Sequence, residues 1–117
     1  MLEEKAKDLG RLIGQSSEYQ ALKKSSEALN DDRDSVTLLQ QMETLRGEAQ
    51  QLIQRGENPT PEMEDKLDSM LEKIQSQAAY QRAVAAQENF DKLMLRVNQW
   101  IMDGMKKGAT SSIITLG

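Results

Sequence analysis

The chain has 117 residues, 38% hydrophobic and only 3% aromatic, with a formal net charge of -4 and neither histidine nor cysteine. That length holds one domain with a thin aliphatic core, and the acidic balance, with a pI near 4.9, argues against a basic face that binds nucleic acid directly through counterion release. The missing residue types remove thiolate nucleophiles and disulfides, and with them the side chains best suited to transition metals and to proton transfer near neutral pH.

Leu2, Ala6, Leu9 and Ile13 step by four and three, which predicts a first helix ending at Gly14. Ser16 or Ser17 then caps a second helix carrying Tyr19, Leu22 and Leu29, and Asn30-Asp31-Asp32 closes it. Asp31 or Asp32 caps a third helix over residues 33–55, where Leu38, Met42, Leu45, Ala49 and Leu52 form a stripe that Leu39 and Ile53 widen. Gly47 sits inside that helix, where glycine costs about 1 kcal/mol relative to alanine. A close helix approach would account for it, and so would simple tolerance.

Gly56-Glu57-Asn58-Pro59-Thr60-Pro61 spells a turn followed by a fresh start, with Thr60 as N-cap and Pro61 in the first helical position. Met63, Leu67, Met70, Leu71 and Ile74 define a fourth helix running back antiparallel to the third. Gln75-Ser76-Gln77 is a weaker break, with Ser76 as a candidate cap, and the fifth helix is either a new element or a kinked continuation. Ala79, Ala83, Ala86, Phe90, Leu93, Val97, Trp100 and Gly104 alternate by four and three along it to about Lys106 or Lys107. A repeat averaging about 3.5 residues seats a helix against other helices. From Gly108 the pattern lapses, which divides the chain into a helical domain over residues 1–107 and a flexible tail over 108–117. The tail's Ile113-Ile114-Thr115-Leu116 is β-prone and suited to adding a strand or apolar plug to a partner.

The fold class that follows is all-α: an elongated antiparallel bundle of about five helices, two of them long and coiled-coil-like. Catalysis finds no support. Carboxylates are plentiful, but a dinuclear carboxylate bundle needs Glu-x-x-His pairs, and Glu62, Glu64, Asp65 and Asp68 fit the positive end of a helix dipole. The serine pairs have no histidine to activate them, and no phosphate-cradling glycine loop occurs. No catalytic residue, metal ligand or cofactor site is therefore assigned. With no apolar run of about 18 residues and a charged opening at Met1-Leu2-Glu3-Glu4-Lys5, the expected location is the cytoplasm, without a membrane contact.

What remains is packing surface. Trp100-Ile101-Met102, with Met94 and Met105, widens the last helix's apolar face beyond one seam, and seven methionines supply adaptable contacts. The expected interface comprises Leu38, Met42 and Leu45 on the third helix and Phe90, Leu93, Val97, Trp100 and Ile101 on the fifth. It joins two copies into a homodimer. An unidentified protein partner is the natural further contact, and a chaperone-like or structural coiled-coil protein is the alternative role.

Ala6-x-x-Leu9-Gly10-x-x-Ile13, Ser17-Glu18-Tyr19-x-x-Leu22-Lys23, the Asp31-Asp32 break and the Leu38 to Gln54 helix resemble the YlbF/YmcA/YheA family of small bacterial helical proteins. Gly56-Glu57-x-Pro59, Tyr80-x-x-Ala83, Ala86-Gln87-x-x-Phe90-x-x-Leu93 and Val97-Asn98 extend the likeness over roughly residues 3 to 105. The resemblance implies an often dimeric, non-catalytic regulator. Some relatives act in a complex that steers ribonuclease Y in messenger RNA maturation and influences competence, sporulation and biofilm formation. Some of those relatives hold iron–sulfur clusters through cysteines, a property this cysteine-free chain does not share. Relatives often have Asn-Pro where this chain has Gln75-Ser76-Gln77.

Overall fold

The computed structural model describes residues 1–116, with side-chain surroundings through residue 110. Five helices follow in order: α1 (Leu2–Gly14), α2 (Ser17–Asp31), α3 (Arg33–Gln54), α4 (Pro61–Gln75) and α5 (Ala78–Leu116). No strand occurs among the described residues. The expected all-α, elongated antiparallel architecture is what the chain adopts, with extents of 68 × 37 × 20 Å.

The chain forms one long helical hairpin with interrupted limbs. α2 packs along α5 and α3 along α4, while α1 packs on α2 and on no other helix to a comparable extent. The Glu18–Arg96 ion pair at 3.8 Å marks one end of the antiparallel α2/α5 seam. At its other end Ala28 shares a groove with Arg82. Both limbs break at the same level, since Asp34 and Leu38 at the start of α3 line a groove with Lys73, Ser76 and Gln77. Ser35 and Ile74, the two most deeply buried side chains among the described residues, lie at this elbow. Met42 and Leu45 are also buried on α3, and Ala86 and Val97 on α5.

The punctuation residues act through identifiable hydrogen bonds. At the hairpin tip Gly56 takes φ +82°, and the Glu57 N–H reaches the Leu52 carbonyl at 2.8 Å while the Gly56 N–H reaches Ile53 at 3.0 Å. That pair is the 6→1, 5→2 closure that favours glycine past a helix end. Thr60 Oγ1 accepts from the Met63 N–H at 3.2 Å, starting α4 as expected. Ser16 Oγ accepts from the Tyr19 N–H at 3.1 Å and starts α2.

Two expected caps work differently. Asp32 occupies the N-cap position of α3 but makes no cap bond to the backbone. Its carboxylate accepts instead from the Ser35 hydroxyl at 2.6 Å. Ser76 closes α4 rather than opening α5, donating its hydroxyl to the Lys73 carbonyl at 2.7 Å. α4 and α5 are consequently separate elements.

The two remaining junctions share one construction. Ser16 donates to the Ile13 carbonyl at 2.6 Å and Gln20 to the Gly14 carbonyl at 2.8 Å. At the α4/α5 break Ser76 bonds as described, and Gln81 donates to the Gln75 carbonyl at 2.7 Å. In both places side-chain donors satisfy carbonyls that a helix end leaves unpaired.

A Cβ built on Gly47 meets nothing within 4 Å, so no helix of this chain approaches closely there. The loop expected from Gly108 is not what the backbone does: α5 continues helical through Leu116, and no break marks the boundary between residues 107 and 108. The side chains of the β-prone stretch Ile113 to Leu116 lie outside the described residues.

Candidate interaction surface

A hairpin of paired helices buries one stripe per helix and leaves the flanks to solvent. The consequence is measurable in the surface, which totals 9341 Å², whereas a compact monomer of 13.2 kDa exposes roughly 6,400 Å². The excess is roughly 2,900 Å². The radius of gyration, 21.7 Å, compares with about 13 Å for a compact domain of this length.

The eight residues expected at an interface divide by position. Met42 and Leu45 are buried and Leu38 half-buried on α3, whose long partner is α4. On α5 Val97 is buried and Phe90 and Leu93 are half-buried along the stripe that meets α2. There the Phe90 ring lies 5.7 Å from Tyr19, tilted by 58°, an aromatic pairing that adds to area burial. α3 and α5 share no extended contact. Six of the eight thus help to cover the chain's own seams, and the two groups do not meet in one surface.

Trp100 and Ile101 are different. Because α2 starts beside Arg96, the described residues of α5 beyond that level have no long helix packed along them. Trp100 is 61% exposed and Met105 68%, with Ile101 and Met102 also exposed. α1 also leaves Leu2 and Leu12 exposed, and none of its residues is buried. Leu12 falls outside the four-three stripe of α1, so the periodicity that located the helix did not flag it.

Polar features near this region are modest. Glu18 accepts a hydrogen bond from Ser17 Oγ at 2.8 Å, and this contact, with its own backbone N–H and the Arg96 guanidinium, holds its carboxyl below the usual value. Glu3 pairs with Lys7 at 2.9 Å, and Asp8 with Arg11, on the outer face of α1. Among the described residues no cluster of three or more acidic side chains is placed to hold a metal ion. No described helix is long and apolar enough to cross a membrane. The grooves along the helix seams are shallow and open, and the only buried polar side chain among the described residues is Ser35.

Comparison with known proteins places these features in a family. Residues 2–106 match the family described as control of competence regulator ComK, YlbF/YmcA. A UPF0342 protein of Streptococcus gordonii is 36% identical over 73 residues, 62% of this chain and 65% of that protein, so the match spans just under two thirds of that relative. A UPF0342 protein of Streptococcus sanguinis is 30% identical over 98 residues, covering 84% of this chain and 88% of its own length. One from Leuconostoc mesenteroides is 23% identical over 93 residues, 80% of each. With a match that begins at α1 and runs past Trp100, the chain belongs to the YlbF/YmcA family, whose description is regulatory.

Proposed function

We propose that this protein is a non-catalytic regulatory adaptor that acts through protein–protein contact and is itself a homodimer. The observation that carries the reading is the exposure of Trp100, Ile101, Met102 and Met105 together on distal α5, in a chain whose elongated shape leaves roughly 2,900 Å² more surface than a compact monomer. Apolar side chains left exposed together on one helix end suit a contact with another protein surface. The regulatory description of its family supports the same role. A link to ribonuclease Y-dependent RNA maturation, with effects on competence, sporulation and biofilm formation, belongs to this proposal. Its acidic charge suits an adaptor that touches protein rather than RNA.

The test pairs light scattering of the purified full chain with deletion of its gene in the native host. A discrete dimer, together with altered competence-dependent transcription that the intact gene restores, is the expected outcome. A strict monomer at tens of micromolar, or turnover of a small molecule by the pure protein, overturns the proposal.

A further inference from the structure

The bend at the elbow rests on few residues. Only Asp32, at φ -84° and ψ 99°, separates α2 from α3, and neither break contains glycine or proline, the residues least compatible with a helix. The Asp32 N–H still reaches the Ala28 carbonyl at 3.1 Å, and the Val36 N–H reaches the Asp32 carbonyl at 3.0 Å. The backbone rungs missing between the two helices are therefore those of Arg33, Asp34 and Ser35. The Asp32 carboxylate, bonded to the Ser35 hydroxyl, caps none of these N–H groups. Turning one ψ to about -42° would aim them at the carbonyls of Leu29, Asn30 and Asp31 and fuse α2 to α3. On the opposite limb Ser76 already has φ -84° and ψ -11°, and two side-chain bonds, from Ser76 and Gln81, clasp the break.

Register and phase both run through the elbow. Ala28 shares a groove with Arg82, Asp34 with Ser76 and Thr44 with Lys66, so each step along one limb is matched by an equal step back along the other. Leu22, Ser25, Leu29, Asp32, Val36 and Leu39 alternate by three and four, and all are half-buried. The seam of α2 thus enters α3 at Asp32, where a straight limb would hold a carboxylate among apolar neighbours at a cost in desolvation. A continuous helix over residues 61–116 would span about 84 Å at 1.5 Å per residue, whereas the longest dimension of the molecule is 68 Å.

We infer that the elbow is a two-state joint, bent as described or straightened into one continuous antiparallel pair, and that Asp32 is the residue that holds it bent. Backbone bonds gained on straightening oppose the desolvation of the Asp32 carboxylate. A partner that binds one shape better shifts the balance toward it. Straightening re-aims the exposed Trp100 end relative to the hairpin tip. The inference stands whether or not the chain dimerises.

Because the chain has no cysteine, Lys23→Cys and Glu48→Cys, at exposed positions on either side of the joint, give two unique sites for spin labels. One continuous helix sets them about 37 Å apart, and the bend draws them closer. Pulsed dipolar measurements on the full chain, with labelled molecules diluted into unlabelled ones, should resolve a short population and one near that length. Asp32→Leu should gather both at the longer distance, with helical circular dichroism increased. Asp32→Asn, which removes only the charge, should move the balance the same way and carries the test if leucine disturbs folding. Arg33→Pro should leave only the short distance, since a residue before proline is kept out of the helical region and proline suits a first helical position. One distance common to the native sequence and all folded variants overturns the joint. A native sequence found only near 37 Å overturns it as well.

Discussion

Ile74→Ala probes the elbow where the two helical arms meet. Ile74 has no exposed surface, and truncation to alanine removes three carbons from a fully covered site. At about 0.8 kcal/mol per methylene the transfer loss is about 2.4 kcal/mol. Incomplete collapse around the vacated volume adds to it, while alanine's better helix propensity returns about 0.5 kcal/mol. The expected net destabilisation is about 3 kcal/mol. Ile53→Ala is the matched control, since Ile53 is 60% exposed on the flank of α3. There the smaller transfer loss and the propensity gain nearly offset, leaving a change of about 0.5 kcal/mol or less. Urea unfolding followed by circular dichroism measures both, at one protein concentration because self-association would couple stability to concentration. If Ile74→Ala costs under about 1 kcal/mol, or no more than Ile53→Ala, the elbow is not the packing centre described above.

Three further outcomes follow from local geometry. Thr60→Ala removes the acceptor for the Met63 N–H and should destabilise by about 1 kcal/mol, with Thr60→Ser retaining most of it, as thermal melts would show. Gly56→Ala forces a side chain into positive φ and should cost about 1–2 kcal/mol in the same measurement. Because the folded pKa of Glu18 is lowered, first by Ser17 and least by Arg96, its contribution is present above the unfolded value. It is lost as pH falls through the folded one. Ser17→Ala should raise that pKa toward the ordinary glutamate value by NMR titration, and Arg96→Gln should raise it less.

Much of the architecture was legible because helix punctuation is local. Gly14, Ser16, the Asp31-Asp32 pair and the Gly56 to Pro61 turn each act within a few residues, and the structure uses them close to where they stand. Asp32 takes the N-cap position of α3 and Ser76 the C-cap position of α4, but the partner each side chain bonds is not legible in sequence, because one hydroxyl or carboxylate has several nearby partners. The Asp32-x-x-Ser35 spacing was the available clue to the bond that forms. Which stripe meets which was not legible. Met42 and Val97 lie on equally regular stripes, yet each is covered by a different neighbour, α4 and α2 respectively. Helix pairing depends on the bend at residue 32 and its counterpart at residues 76–77, and hydrophobic period carries no information about that bend. The continuation of α5 past Gly108 also went against composition, since glycine and serine lower helix propensity without forbidding a helix.

The other buried apolar residues fall into two sets on either side of the elbow that Ile74 occupies. Met42 and Leu45 serve the α3/α4 arm, and Ala86 and Val97 serve α2/α5. Two such sets joined only at a corner behave as separate cooperative units, each opening with its own free energy. Amide exchange should therefore proceed in two tiers rather than one, and a ligand that clamps one arm need not quiet the other.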